Sequence, residues 1–206
     1  MDYSDSFKPR RSHKFENSLM RNIAILSSHN GSGLDAIIEA INKNLLNLNI
    51  ALVVSNNTNA VVLQKADKLN IKNFLINEAN HDNPNEKIHA LLKEYDCEYV
   101  FLSGYMKKLP SRITRNFKVI NSHPSLLPKY GGKGMYGRFV HEAVIQNKET
   151  FSGVTIHEVN GEYDDGNIIL QETIALSENE SANTLESKIK ALEKIAIVNG
   201  LQKCLN

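Results

Sequence analysis

Asn22-Ile23-Ala24-Ile25-Leu26-Ser27-Ser28-His29-Asn30-Gly31-Ser32-Gly33-Leu34-Asp35-Ala36-Ile37-Ile38 is the stretch that decides the fold class. Its first five residues form a short apolar run of the kind found in a strand buried on both faces. A glycine-rich turn follows. Leu34, Ile37, Ile38, Ile41 and Leu45 then recur at the spacing of one helical face. Strand, turn and helix in that order open a sheet with crossover helices. Downstream, the runs Ile50 to Val54, Phe74 to Ile76, Tyr99 to Leu102 and Val119-Ile120 predict further strands, with a weaker helical stretch through Leu63, Ala66 and Leu69 after the first of them. Ile88, Leu91, Leu92 and Tyr95 make a helical stripe before Tyr99, and a parallel neighbour is the default after such a helix. Gly153 to Val159 and Asn167 to Thr173 flank a turn and predict a hairpin-like pair at the sheet edge. A last helix is expected from about Asn183 to Lys203, with Leu185, Ile189, Leu192 and Ile195 on one side.

Upstream of Asn22 the composition changes. Residues 1–19 are polar and mixed in charge and are expected to be a disordered tail, leaving 20–206 as one domain. The whole chain of 206 residues is long enough for one sizeable core. Its 24 Lys and Arg nearly balance 23 Asp and Glu, for a net charge of +1, so no global field gathers nucleic acid or an anionic membrane. Cys97 and Cys204 are far apart and lack metal-ligand spacing, which argues against a disulfide framework or a zinc knuckle. No apolar run is long enough to span a bilayer and the N-terminus lacks an apolar signal stretch. The expectation is a cytoplasmic protein that binds neither nucleic acid nor membrane.

In open parallel sheets ligands bind outside the carboxyl ends of the strands, which draws attention to the residues after Leu26, Leu102 and Ile120. The turn Asn30-Gly31-Ser32-Gly33 precedes a helix, where free backbone N–H groups favour an anion. An ordinary turn with Asn30 or Ser32 capping the helix is the plainer reading of the same residues. After Ile120 stands Asn121-Ser122-His123-Pro124-Ser125-Leu126-Leu127-Pro128. Residues two apart in an extended segment point the same way, so the Asn121 carboxamide and the His123 imidazole converge on one side. The amide can donate to an oxygen that gains negative charge, and the imidazole can carry a proton near neutrality: a workable pair for acyl transfer. Asp164 or Asp165, in the turn between the two C-terminal β-like runs, is positioned to support the imidazole. Satisfaction of backbone groups around a two-proline turn explains Asn121 and His123 equally well.

The segment Asn121 to Tyr130 closely resembles the signature of the folate-dependent formyltransferases, and the resemblance extends from about Arg21 to Lys203. It implies a Rossmann-like α/β fold: an open, mostly parallel sheet with helices on both faces and an antiparallel edge near the C-terminal part. It implies catalysis by Asn121, His123 and Asp164, with Asp164 in the register of the family's Asp-x-Gly turn. The branch it points to formylates glycinamide ribonucleotide with 10-formyltetrahydrofolate, without a metal, as a monomer or homodimer. By the same resemblance Asn30, Gly31, Ser32 and Gly33 hold the acceptor phosphate, the last three through backbone N–H groups. Tyr105, Met106, Lys107, Leu109, Asn121, Asn160, Gly161, Glu162 and Asp164 line the folate site, and Glu193 reaches the acceptor ribose. The chain departs from the family around Lys194 to Val198, and in a longer loop from Lys129 to Gly137. His157 has the strand position to face the site, while a hydrogen-bonded structural role is the expectation for it and for His29, His81, His89 and His141.

Overall fold

The structure, a computed structural model, describes residues 19–205. The expected tail lies outside the described residues apart from Leu19, which is exposed. Along the chain the elements are β1 (Arg21–Leu26), α1 (Ser32–Asn42), β2 (Leu48–Ser55), α2 (Val61–Lys68), β3 (Asn73–Leu75), α3 (Pro84–Glu94), β4 (Tyr99–Leu102), α4 (Ser111–Asn116), β5 (Lys118–His123), α5 (Arg138–Gln146), β6 (Phe151–Glu158), β7 (Ile168–Ala175) and α6 (Ala182–Leu205). The strands form one sheet in the order β3-β2-β1-β4-β5-β6-β7. Pairing is parallel from β3 to β5 and antiparallel from β5 through β7, so the hairpin-like edge expected near the C-terminus is present.

Side-chain alternation in the strands builds two cores. Ile23 and Ile25 of β1 pack with residues of α1, α2 and α6 on one face. Ala24 and Leu26 point the other way, onto Ile88, Leu91 and Leu92 of α3 and Ile113 of α4. Both faces are covered, which is why the central strands read as unbroken apolar runs. Local signals start the helices. Asn83 caps α3 by accepting the Glu86 N–H at 3.2 Å, and Pro84 occupies its first turn, where a missing N–H costs nothing. Two helices were not foreseen. α4 is only six residues long, and α5 follows a glycine-rich loop with Val140 and Val144 as its only fully buried aliphatic side chains.

The chain order reverses between β1 and β4, its neighbour in the sheet, and this opens a crevice at their carboxyl ends. At the far side of the crevice the turn between β6 and β7 closes tightly. A methyl group added to Gly166 would lie 1.7 Å from the Glu158 carbonyl oxygen, beside the bond from Glu158 N–H to Asn167 O at 2.9 Å. Backbone cannot step aside as a side-chain tip can. Gly166→Ala is therefore expected to destabilise the protein by about 1–3 kcal/mol, read as a lower Tm in thermal unfolding. An unchanged Tm would contradict the close approach.

Candidate active site

A cleft of about 720 Å³ lies at the carboxyl ends of β1, β4 and β5. Strand parity decides what β5 contributes. Ile120 and Ser122 face α6, and Ser122 Oγ donates to Glu193 Oε1 at 2.6 Å. Asn121 and His123 face the other way and enter the cleft together, as the spacing predicted. Asn121 sits opposite His157 of β6 in the antiparallel register, and the turn after β6 brings Asp164 to the same place.

Four side chains meet there. His123 is 4% exposed; its Nε2–H donates to the Tyr130 carbonyl at 2.7 Å, leaving Nδ1 as the basic nitrogen, 3.5 Å from Asp164 Oδ2. Tyr130 adopts a positive φ of 57° to aim that carbonyl, a conformation that opposes folding in a bulky residue and is found at functional sites. His157 donates from Nδ1 to the Glu158 carbonyl at 2.8 Å, so its Nε2 is left to accept from Asn121 Nδ2 at 3.1 Å. That bond holds one amide hydrogen of Asn121 and leaves the other free. His157 Nε2 is also 3.5 Å from Asp164 Oδ1, and Gly132 N–H donates to Asp164 Oδ2 at 2.9 Å. Asp164 has a φ of 54°, which aspartate tolerates and which turns its carboxylate inward. Asp165 is exposed and pairs with Asn160 Nδ2 instead.

Burial pushes the His123 pKa below the ordinary histidine value, against the Asp164 charge and the Tyr130 hydrogen bond, which raise it. Burial alone would raise the Asp164 carboxyl, but the close approach of the His157 ring, the His123 ring and the Gly132 N–H outweigh it and hold its pKa below the ordinary carboxylate value. The arrangement thus keeps a neutral base beside an ionised carboxylate. His141, also in the cleft, is lowered by burial as well. In the unfolded chain these two histidines take up protons near their ordinary value of 6.5, which the folded protein resists. Stability is expected to fall as pH drops below 6.5, and Asp164 adds a loss under stronger acid, below its ordinary 3.8. Thermal melts at about pH 7.5 and about pH 5.5 check this, and a Tm that rises on acidification would contradict it.

At the other end of the cleft α1 begins at Gly31, whose φ of 64° is left-handed and whose side of the helix has no side-chain cap. The plainer reading of this turn, capping by Asn30 or Ser32, is not realised. His29, Asn30, Gly31 and Ser32 line the cleft, and among the described residues the N–H groups of Gly31 and Ser32 are unpaired. Gly33 differs from the expectation. It is buried, its N–H donates to Ser103 Oγ at 2.9 Å, and a Cβ there would meet the Phe101 ring at 2.6 Å. Its donor is spent on packing the turn against β4 and is not offered to a ligand. Ser28 makes a second tie of this sort, accepting the Met106 N–H at 2.8 Å.

The segment after β4 supplies one wall. Tyr105, Met106 and Lys107 line the cleft, while Leu109 lines it and belongs to the core beneath. Burial pushes the Tyr105 hydroxyl up to about 12. Gly161 and Glu162 lie on the opposite wall; Asn160 does not line the cleft and braces the turn by accepting the Glu162 N–H at 3.0 Å. Glu193 lines the cleft from α6, its pKa raised by burial against the Ser122 bond and the Lys190 charge. Sequence reasoning missed the bond between Gly33 and Ser103, seventy residues apart, and undervalued His157, whose place opposite Asn121 appears only once the register is known. Among the described residues no group of three His, Cys, Asp or Glu side chains is arranged to hold a metal ion, and no helix is long and apolar enough to cross a membrane.

The chloroplastic phosphoribosylglycinamide formyltransferase of Vigna unguiculata is 32% identical over 195 residues, covering 90% of this chain and 62% of that protein. The chain thus spans about three fifths of the plant relatives it matches, 62% in each case. The phosphoribosylglycinamide formyltransferase of Haemophilus influenzae is 34% identical over 179 residues, 84% of this chain and 82% of that protein. Among solved structures, the phosphoribosylglycinamide formyltransferase of Coxiella burnetii superposes with a TM-score of 0.80 at 32% identity, over 88% of this chain and 85% of that one. The sequence pattern of the formyl transferases matches residues 21–201, the span that holds the sheet, the cleft and all four converging side chains, and the chain therefore belongs to the formyl transferase family.

Proposed function

We propose that the chain transfers the formyl group of 10-formyltetrahydrofolate to the amine of glycinamide ribonucleotide, the formylation step of purine biosynthesis, with residues 20–206 acting as a single domain. The observation that carries the reading is the meeting of Asn121, His123 and Asp164 at the bottom of one cleft, with unpaired N–H groups of a helix N-terminus at its far end. The acceptor phosphate lies against Gly31 and Ser32, its ribose against Glu193, and the donor against the wall from Tyr105 to Leu109. Two free cysteines fit a reducing compartment such as the cytoplasm.

The amine attacks the formyl carbon. As the carbonyl oxygen gains charge, the free amide hydrogen of Asn121 donates to it; His157, holding the other hydrogen, keeps that amide aimed. His123 takes the amine's proton at Nδ1, and the resulting imidazolium is held between the Tyr130 carbonyl and the Asp164 carboxylate. Collapse breaks the bond from the formyl carbon to the folate nitrogen, which leaves with the proton returned by His123. One C–N bond forms and one breaks. The test follows donor deformylation by absorbance with and without glycinamide ribonucleotide. Turnover that requires the acceptor supports the reading; equal turnover without it marks a hydrolase and contradicts it.

A further inference from the structure

His141 stands at the end of the first turn of α5, lines the cleft and is 3% exposed. Its Nδ1 is buried with no hydrogen-bond partner, and its Nε2 makes no hydrogen bond among the described residues. The expectation of a hydrogen-bonded structural histidine fails here. The other buried histidines all have partners: His89 meets Asn116, His123 meets the Tyr130 carbonyl, and His157 meets Asn121 and the Glu158 carbonyl. An unpaired buried polar ring opposes folding, and a leucine of similar size would not. Its retention in a cleft therefore asks what pairs with it when the cleft is filled.

The surroundings restrict the answer. Glu186, Lys190 and Glu193 are spaced i, i+4 and i+7 on one face of α6, and all three line the cleft. Glu186, Lys190 and His123 are all close enough to act electrostatically on the His141 ring. Burial, Lys190 and His123 keep the ring neutral against Glu186. Orphaned buried N–H groups are rarer than under-used acceptors, so Nδ1 carries the lone pair and Nε2 the hydrogen. A neutral donor suits a neutral oxygen. The phosphate belongs at the other end of the cleft, on the N–H groups of Gly31 and Ser32, so the oxygen at His141 is the one nearest the reacting amine.

We infer that His141 binds the formyl acceptor, donating from Nε2 to the amide carbonyl oxygen beside the nucleophilic amine, and thereby selects α-amino amides among amine acceptors. The inference rests on the acceptor reading given above and adds a recognition element to it. It is tested by steady-state kinetics and thermal melts of His141→Leu and His141→Gln, with glycinamide ribonucleotide and 10-formyltetrahydrofolate varied in turn. His141→Leu is expected to raise the acceptor KM roughly tenfold, to leave the donor KM within about twofold, and to leave Tm unchanged or raised. Glutamine, whose amide nitrogen reaches the place of Nε2, is expected to restore most of the acceptor affinity. A merely structural histidine would instead lower Tm and disturb both KM values, which would overturn the assignment, as would an acceptor KM unchanged in His141→Leu. A parent protein that turns over no acceptor at all would overturn the proposed function, and this inference with it.

Discussion

His123→Gln is expected to lower kcat about 100- to 10,000-fold while both substrates still bind. Glutamine can donate to the Tyr130 carbonyl much as Nε2 does at 2.7 Å, so the local fold is kept. What disappears is the group placed to take the amine's proton and return it to the leaving nitrogen. Loss of kcat with little change in either KM is the signature of an interaction made in the transition state. A variant with near-normal kcat would remove His123 from the chemistry and leave it as a buried residue bracing the Tyr130 turn.

Asp164→Asn is expected to cost roughly a thousandfold or more in kcat, and to change the pH profile in a defined direction. Its amide oxygen can still accept the Gly132 N–H, so the turn is retained, but the negative charge 3.5 Å from His123 Nδ1 is gone. That charge raises the His123 pKa against burial. Without it the imidazole resists protonation more strongly, so the residual activity should persist to lower pH than in the parent protein. An acid limb that moves to higher pH would show that Asp164 does not face the imidazolium.

The features of the fold that could be read from the sequence are those with local causes. β1, its glycine turn and α1 announced themselves because a strand buried on both faces and a one-sided helix leave different periodicities. The convergence of Asn121 and His123 followed from strand parity alone. Features set by distant partners were hidden. Gly33 looked like an anion donor until Ser103, just past the end of β4, took its N–H. Asp164 and Asp165 are indistinguishable by residue type; a left-handed backbone at Asp164 turns one in and leaves the other to Asn160. His141 was expected to be hydrogen-bonded because buried histidines usually are, and only the cleft explains why it is not. α5 escaped because two buried valines one turn apart make too short a stripe to register against a glycine-rich approach.

The most direct test of the central claim is to supply 10-formyltetrahydrofolate labelled at the formyl carbon together with glycinamide ribonucleotide and to follow the label by NMR. Direct attack on the formyl carbon at Asn121, His123 and Asp164 predicts that the label appears as the formamide of the acceptor, at the rate at which donor is consumed, and that no labelled formate accumulates. Label released as formate while the acceptor stays unmodified would contradict the account and assign the same four side chains to the activation of water.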